Sequence, residues 1–355
     1  MFRSVVQAPK GLSIMLTYTC PAECTDCGTL SSPRSRENIS LEAAKAYIEE
    51  AASRDFRVAV FTGGEATLRW KDLLAGLSYA REKGLKTRLV TNAHWATRES
   101  VARTKLRALI AAGLDEINYS TGDEHARFIP LERVALACRV AIDLGLSTFV
   151  MVESRKERAI NREVLLAHPE ILAIPEEKRR KLSISESPWM PLNPLEVEEY
   201  QQGRAATAES IDAHRPCHSL LNTWTIQADG RVGACCGLGM RTIPELNMGV
   251  VGTPLSKMQE EAESDLVKLA IHYLGPMQIL RWASGKDSRI QWEGMYAHQC
   301  QACARLYSDP RVQRVMRAGR EELKQSVAEA AIFDEGVGFQ FSQGTERVPE
   351  RSVIE

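Results

Sequence analysis

The sequence lacks a marked excess of charge of either sign. Its 355 residues include 45 basic and 46 acidic side chains, which gives a formal net charge of −1. Proteins that bind nucleic acid or anionic membranes over a broad surface usually carry a clear basic excess. The composition therefore predicts no nucleic acid and no membrane among the partners of this protein.

The sequence also lacks long apolar runs. No stretch approaches the length that spans a bilayer, and residues 1–16 (MFRSVVQAPKGLSIML) contain no signal-peptide core followed by a cleavage site. We therefore expect a cytoplasmic protein, in a compartment where thiols stay reduced. In that setting the nine cysteines indicate metal or redox chemistry more than a disulfide framework.

What the sequence does contain is a regular alternation of β-rich and helical segments. The β-rich runs lie at 11–17, 56–62, 85–91, 114–120, 146–152 and 181–186. Gly84, Gly113 and Gly145 each follow a helical segment, as glycine often does just past a helix end. This alternation predicts an α/β fold with a parallel sheet, here a partial (βα)6 barrel of the TIM type. The active site of such a fold lies at the carboxyl ends of its strands.

After the barrel segments the regular alternation of β-rich and helical segments ends. Residues 1–215 form the predicted barrel domain, of which 155–215 combine charge clusters with a Pro-rich run and indicate a looser insertion or linker. Residues 216–332 contain TWTIQADGRVGACC, a predicted β-hairpin that turns at Asp229 and Gly230, followed by helices. They are expected to form a small second domain, and 333–355 a polar C-terminal tail.

Three cysteines, Cys20, Cys24 and Cys27, follow the first β-rich run directly. Structural zinc usually takes four ligands in two separated pairs, which this loop does not provide. A 4Fe–4S cluster can use three thiolates, one for each of three irons, so that its fourth iron remains open to a substrate or cofactor. A structural or zinc-bound cysteine loop is the alternative interpretation.

The Cys-x3-Cys-x2-Cys spacing, preceded by LTYTC, resembles the signature of the radical S-adenosylmethionine (SAM) family. The resemblance implies a 4Fe–4S cluster whose open iron binds SAM. It further implies reductive cleavage of SAM to a 5′-deoxyadenosyl radical, which removes a hydrogen atom from an unactivated C–H bond. An electron donor such as flavodoxin or ferredoxin is the partner that this chemistry implies.

The same resemblance implies further contacts with SAM. TGGEA, residues 62–66, is similar to the Gly-Gly-Glu element with which the family binds the amino group of the methionine moiety. That role is therefore carried to Gly63, Gly64 and Glu65, although an ordinary βα turn would also suit these residues. Later strand ends carry polar residues where family members contact SAM, namely Asn92, Ser120 and Arg155.

Two positions depart from the family pattern. Asp26 stands directly before the third cysteine, where family members usually have an aromatic residue near the adenine, and Ala66 stands where proline is common. A carboxylate beside a cluster disfavours added negative charge, so Asp26 is expected to tune the cluster.

Four more cysteines, Cys217, Cys235, Cys300 and Cys303, are predicted to form a second metal site. Taken alone, two thiols near a hairpin and a distant CxxC are typical of zinc. Within a chain of this kind the spacing resembles the Twitch or SPASM extensions, which implies a second, auxiliary 4Fe–4S cluster for electron transfer. Because no cysteine follows Cys303, the shorter Twitch form with one auxiliary cluster fits better.

Three residues are candidates for catalysis. Asp123 and His125 follow the fourth β-rich run, and the histidine suits proton transfer near neutral pH. A structural polar loop is the alternative for both. Cys236 is the alternative to Cys235 as a ligand, and it is the thiol that would return a hydrogen atom to a substrate radical. Cys138, within a helical segment, is expected to pack in the core.

Together these features predict a radical SAM oxidoreductase or maturase that acts on an unactivated C–H bond of a peptide or a small natural-product precursor. The auxiliary cluster would accept the electron that the substrate radical loses. Within the family, a radical SAM epimerase and an aminocyclitol or sugar alcohol dehydrogenase are alternatives. A non-enzymatic iron–sulfur or zinc protein of electron transfer is the alternative from another class.

Overall fold

A computed structural model describes residues 11–54, 56–211 and 216–342 of the chain. Its strands are β1 (Gly11–Met15), β2 (Val58–Thr62), β3 (Lys86–Thr91), β4 (Glu116–Thr121), β5 (Ser147–Ser154), β6 (Leu182–Pro188), β7 (Thr223–Ile226), β8 (Arg231–Gly233) and β9 (Asn247–Val250). Strands β1–β6 are parallel and lie side by side in chain order. The predicted fold class is confirmed, because this mostly parallel sheet with its helices matches a partial barrel.

The helices connect the strands and continue beyond them. They are α1 (Leu41–Ala52), α2 (Trp70–Glu82), α3 (Glu99–Ala111), α4 (Asp123–Ala126), α5 (Leu131–Asp143), α6 (Arg162–Leu166), α7 (Pro169–Leu172), α8 (Glu176–Arg179), α9 (Leu255–Ala262), α10 (Leu266–Tyr273), α11 (Pro276–Lys286), α12 (Gln299–Ser308), α13 (Pro310–Ala318) and α14 (Arg320–Ser342). Among the described residues, no helix is both long and apolar enough to cross a membrane.

Local sequence signals explain where the barrel helices begin and end. The Ser40 hydroxyl caps α1 by accepting a hydrogen bond from the Ala43 N–H, at 3.1 Å. Gly84, Gly113 and Gly145 follow α2, α3 and α5 with φ of +83°, +105° and +93°. Glycine adopts these left-handed angles without steric cost, so the chain can turn from each helix into the next strand.

Alternate side chains of the barrel strands face opposite sides of the sheet, one side toward the helices and the other toward the barrel interior. Leu89, Tyr119 and Val150 are fully buried, and the Tyr119 hydroxyl donates to the Ala137 carbonyl oxygen of α5. Their neighbours Val90, Ser120 and Met151 point to the opposite face of the sheet and line a cavity. The carboxyl ends of the parallel strands are therefore placed around one interior space.

The predicted hairpin is present, with a turn at Asp229 and Gly230, where Gly230 has a φ of +84°. It differs from the expected separate unit in one respect, because β7 pairs in parallel with β1 and continues the barrel sheet. The sheet thus has nine strands in the order β6-β5-β4-β3-β2-β1-β7-β8-β9. The pairing satisfies backbone groups of β1 that would otherwise form an open edge.

The remaining predicted segments are only partly covered by the structure. Within the predicted insertion at 155–215, the short helices α6, α7 and α8 connect β5 to β6. The predicted polar tail begins within α14, which continues to Ser342. The part of the tail at 343–355, the predicted boundary at 215/216 and the N-terminal residues 1–10 lie outside the described residues.

Candidate functional site

The first cysteine set lies in the loop that leaves β1. Cys20 is buried, whereas Cys24 and Cys27 are partly exposed. The Cys20 sulfur accepts hydrogen bonds from the Ala22 N–H at 3.4 Å and from the Asn92 side-chain amide at 3.5 Å. The loop is thereby fixed to the carboxyl end of β3, with its three sulfurs lining the cavity.

Burial favours the protonated form of Cys20 and of Cys24 while no metal is bound. Burial is the largest cause that raises the pKa of Cys20 to about 12, and the nearby Glu65 and Cys27 add to it. The pKa of Cys24 is also raised to about 12, by burial and by the charges of Cys27 and Glu153. Because iron and zinc bind thiolates, loading this site would release protons.

Asp26 has a structural role within the same loop. Its φ is +55°, a left-handed angle that aspartate and asparagine tolerate better than bulky residues do. Its carboxylate accepts a hydrogen bond from the Leu192 N–H at 3.0 Å. The departure from the family pattern therefore coincides with a turn in the loop and a contact to the segment after β6.

Gly63 and Gly64 lie against the backbone that leads into the cysteine loop. A Cβ at Gly63 would lie 2.4 Å from the Thr17 carbonyl oxygen, and one at Gly64 would lie 2.4 Å from that of Thr19. The Gly64 N–H also donates to the Thr17 carbonyl oxygen at 2.7 Å. Only glycine leaves room for this approach, and both glycines line the cavity.

Glu65 does not line the cavity with these glycines. Its fully buried carboxylate accepts hydrogen bonds from the Thr67 N–H and hydroxyl at 3.1 and 2.6 Å, from the Thr91 hydroxyl at 2.9 Å and from the Asn92 N–H at 2.9 Å. The side chain thus joins the ends of β2 and β3 and positions Asn92. A direct contact of this carboxylate with SAM is not what the structure favours.

The other predicted contacts divide between the cavity and its surroundings. Asn92 and Ser120, at the ends of β3 and β4, line the cavity. Arg155 is not among the lining residues; its guanidinium lies 5.5 Å from the ring centre of Trp189, which does line it. Asp123 is also outside the lining, because its carboxylate accepts the N–H groups of Ala159 and Ile160 at 2.9 and 2.8 Å.

The second cysteine set lines the same cavity as the first. Cys300 and Cys303 lie in the first two turns of α12, three residues apart and so on one helix face. A Cβ at Gly237 would lie 3.0 Å from the Cys300 sulfur and 3.8 Å from the Cys235 sulfur, which brings these two thiols close together. Cys235 is buried and Cys236 more exposed, so the geometry favours Cys235 as the ligand.

Burial raises the pKa of thiols in the second set, and neighbouring thiols add to the effect. Burial, followed by the charge of Cys300, raises the pKa of Cys217 to about 11. Burial is also the largest cause that raises the pKa of Cys235 and Cys303 well above the ordinary thiol value, and the charges of Cys300 and Cys217 add to it in both. Cys138, by contrast, is fully buried in α5 and away from the cavity, as expected for a core residue.

The two cysteine loops are in direct contact. A Cβ at Gly28, next to Cys27, would lie 2.8 Å from both the Cα and the carbonyl oxygen of Leu238. The N–H of Leu238 in turn hydrogen-bonds to the Cys300 thiol. These contacts bring Cys27 of the first set and Cys300 of the second set to neighbouring parts of the cavity wall.

Arg241, from the segment after β8, fastens the two loops together. Its guanidinium donates to the carbonyl oxygen of Thr29 and lies 3.6 Å from the ring centre of Tyr18. Both partners belong to the segment that carries the first cysteine set. The hairpin region therefore completes the wall of the barrel site.

The shared cavity has a volume of about 590 Å³. Its polar lining includes His125 and Glu153, whose Nδ1 and Oε2 atoms lie 2.7 Å apart. Much of its apolar lining comes from the C-terminal part of the chain, with Met240, Ile243, Leu246, Ile271 and Pro276. Trp189 adds an indole ring whose N–H has no hydrogen-bond partner among the described residues.

The donor sets fit iron–sulfur clusters in their chemistry. Three thiols on the cavity wall suit a cluster with one open iron, and four further thiols on the same wall suit a fully ligated one. Among the residues that the structure describes, no three His, Cys, Asp or Glu side chains are arranged to hold a single metal ion.

Two residues at the site were not predicted from the sequence. Glu153 lies beyond the predicted fifth β-rich run at 146–152, whereas β5 continues through it to Ser154. Gly122, directly after β4, has a φ of +133° and packs against Glu153. Their positions in the sequence could have indicated them, because both residues lie at the carboxyl ends of barrel strands, where active sites of this fold are found.

Part of the chain is similar to a known protein family. Residues 14–152 match the Radical SAM superfamily. Over 100 residues the chain is 36% identical to Fe-coproporphyrin III synthase of Methanosarcina barkeri, covering 28% of this chain and 25% of that protein. Over 113 residues it is 34% identical to PqqA peptide cyclase of Rhodopseudomonas palustris, covering 32% and 28%. The matches thus span about a quarter of the length of these relatives.

The fold is also found among solved structures. The chain resembles Streptococcus suis SuiB bound to precursor peptide SuiA with a TM-score of 0.55, over 74% of this chain and 68% of that one. The two sequences are 11% identical in this comparison, so the likeness concerns the fold. The resemblance inferred from the cysteine loop is confirmed for the segment that carries it.

Proposed function

We propose that this chain, whose residues 14–152 form a Radical SAM domain, is an enzyme that oxidises an unactivated C–H position of a peptide. The observation that carries the proposal is that both cysteine sets line one cavity. A substrate group in that cavity would lie beside the site where a hydrogen atom is removed and beside a second site able to accept an electron. A protein used only for electron transfer needs no such cavity between its centres.

In this proposal each cysteine set holds its own iron–sulfur cluster. Cys20, Cys24 and Cys27 would hold the cluster that binds SAM, which when reduced supplies the radical that removes a hydrogen atom from the substrate. Gly63 and Gly64 let the end of β2 pack closely against the backbone of Thr17 and Thr19 before the cysteine loop, and the methionine moiety of SAM would bind beside them. Glu65 holds Thr91 and Asn92 in place behind them. The second set, Cys217, Cys235, Cys300 and Cys303, would hold an auxiliary 4Fe–4S cluster. The external electron donor would be a flavodoxin or ferredoxin.

The size of the cavity favours a peptide side chain over a large planar substrate. About 590 Å³ lies within the range of a site for one small ligand, and the bound cofactor would use part of it. The space that remains suits a side chain or a small fragment better than a tetrapyrrole. Among the relatives, PqqA peptide cyclase and SuiB with its precursor peptide point in the same direction.

Epimerisation is the second candidate function. It is favoured by Cys236, which lines the cavity but is not needed to complete four thiol ligands. Its thiol would give a hydrogen atom back to the substrate radical. Reaction in deuterated water would then place deuterium at the altered carbon, whereas an oxidation would not.

The proposal is tested by loading the protein with iron and sulfide under anaerobic conditions. We expect about eight iron atoms per chain, four for each cluster, and release of 5′-deoxyadenosine when reduced protein meets SAM. Cys24→Ala should lose about half of the iron and all of the cleavage. Cys303→Ala should lose iron from the second site and keep the cleavage.

Cys138→Ala is the matched control, because this cysteine lies in the core away from the cavity. It should keep both the iron content and the cleavage of the unaltered chain. Iron near four atoms per chain would contradict the auxiliary cluster, and a loaded chain that never cleaves SAM would contradict the enzymatic proposal.

A further inference from the structure

Glu153 and His125 form a hydrogen-bonded pair on the wall of the cavity. Glu153 lies near the carboxyl end of β5, with a side chain that is about 5% exposed, and its Oε2 lies 2.7 Å from Nδ1 of His125 in α4. Both residues line the cavity. The pair therefore joins two neighbouring barrel strands at the edge where the chemistry is proposed.

The carboxylate of Glu153 is held in place from a second side. Its other oxygen, Oε1, accepts a hydrogen bond from the Glu124 N–H. A Cβ at Gly122 would lie 2.0 Å from Cγ of Glu153, so only glycine leaves room for this side chain. A fixed carboxylate can fix in turn the ring that it contacts.

The other charged groups nearby have partners of their own. The Glu124 carboxylate pairs with Arg127 at 2.8 Å and lies 3.7 Å from Arg155. Asp123 is engaged by the backbone N–H groups of residues 159 and 160. Among the described residues, Glu153 is thus the carboxylate that is left to pair with His125.

This contact determines which nitrogen of the ring carries hydrogen. A carboxylate only accepts hydrogen bonds, so in the neutral imidazole Nδ1 of His125 donates and Nε2 keeps its lone pair. No hydrogen bond to Nε2 is present in the described part of the chain. The Trp189 ring meets the imidazole edge to face, with ring centres 6.0 Å apart, and limits its rotation.

We infer that Glu153 is a positioning residue, which holds His125 in the Nδ1–H tautomer and so presents Nε2 as a proton acceptor inside the cavity. The inference deepens the proposed oxidation and rests on it, because the substrate of that oxidation would be the proton donor. In that oxidation the substrate would lose a hydrogen atom to the 5′-deoxyadenosyl radical and one electron to an oxidised iron–sulfur cluster that Cys217, Cys235, Cys300 and Cys303 would hold. One proton would pass to Nε2. The proton comes from an N–H, O–H or C–H group next to the radical carbon, and a new bond forms there.

The tautomer can be measured in the full chain before iron is added. With ¹⁵N-labelled histidine, long-range ¹H–¹⁵N spectra distinguish a protonated from a bare ring nitrogen, and His125→Gln identifies the signal. We expect Nδ1–H with bare Nε2 in the unaltered chain. In Glu153→Gln the amide can donate as well as accept, so a mixture of tautomers should appear, whereas Glu153→Asp should retain part of the original preference.

A chemical probe measures how available Nε2 is. Diethyl pyrocarbonate acylates bare imidazole nitrogens, and peptide mass spectrometry gives the rate at each histidine. We expect acylation of His125 to slow several-fold in Glu153→Gln. His168, the N-cap residue of α7, should keep its rate. Glu116→Gln is the matched control. Glu116 pairs with Arg88 at the amino end of β4, whereas the cavity lies at the carboxyl ends of the strands.

An Nε2–H tautomer in the unaltered chain would overturn the assignment, even if the variants failed to fold. Equal acylation of His125 in the unaltered chain and in folded Glu153→Gln would overturn it as well. Failure of the proposed function has a different signature, because a chain with the expected tautomer and acylation but no SAM cleavage would contradict only the enzymatic proposal.

Discussion

A single residue, Asp26, accounts for the oddest feature of the cysteine loop. The expectation from sequence was that its charge tunes a cluster. The structure adds a conformational reason, since Asp26 has a φ of +55° and its carboxylate accepts the Leu192 N–H. An aromatic residue would have neither the tolerance for that angle nor the hydrogen-bond acceptor.

We therefore predict that Asp26→Asn is tolerated and that Asp26→Phe is not. A bulky residue at a left-handed angle costs about 1–2 kcal/mol, and the lost hydrogen bond adds about 1 kcal/mol. Urea unfolding of the metal-free chain should show Asp26→Phe destabilised by about 2 kcal/mol. Asparagine keeps both properties and is the matched control. Equal stability of the two variants would show that the loop does not depend on this residue.

Polar residues at strand ends show what a sequence can predict about a site. His125 was expected at the active-site edge from its place after the fourth β-rich run, and Asn92 and Ser120 from the family resemblance at strand ends; all three line the cavity. Asp123 was expected there from its place and Glu65 from the resemblance, but their carboxylates bind donors on neighbouring strands and loops. The pattern fixes the end of the sheet at which a residue lies. It does not fix which donors a side chain finds, because those come from distant parts of the chain.

At the scale of elements, the strands of the barrel were predictable and the partner of the hairpin was not. Strand β4, for example, was expected at 114–120 and is found at Glu116–Thr121. Its burial pattern and the glycine before it are local signals. The pairing of β7 with β1 joins residues more than two hundred positions apart, and no local signal encodes it. It nevertheless closes the site, because it brings the second cysteine set beside the first.

The contact between the two cysteine loops gives a prediction at this scale. In Gly28→Ala the new Cβ would lie 2.8 Å from backbone atoms of Leu238, which cannot rotate away. The loops must then separate, and overpacking of this kind costs about 1–3 kcal/mol. Thermal unfolding should show a lower midpoint, and the loaded variant should hold less iron.

Gly285→Ala is the control for that substitution. Gly285 lies in α11, where a Cβ would meet no atom within 4 Å. Alanine in a helix is favoured over glycine by about 0.5–1 kcal/mol, so this variant should be more stable than the unaltered chain. If Gly28→Ala also gained stability, the two loops would not be in the contact described here.

The whole molecule combines near-neutral charge with eight of its nine thiols around one cavity. Without metal these thiols impose a dependence of stability on pH. The pKa values of Cys20 and Cys24 are raised to about 12, mainly by burial, whereas an unfolded thiol titrates near 8.5. The stability that comes from keeping each thiol neutral is complete below about pH 8.5 and is lost as the pH rises toward 12.

We predict that the free energy of unfolding of the metal-free chain falls between pH 7 and pH 9.5. Each buried thiol contributes at most about 1.4 kcal/mol to that fall, since one pH unit above the unfolded pKa corresponds to 1.36 kcal/mol per proton. Anaerobic urea unfolding at the two pH values measures it. Cys24→Ala removes one titrating thiol, so its stability should fall by about 1.4 kcal/mol less than that of the unaltered chain. An equal fall in both proteins would mean that Cys24 is not buried as a neutral thiol, and the loop would then bind iron without first giving up a proton there.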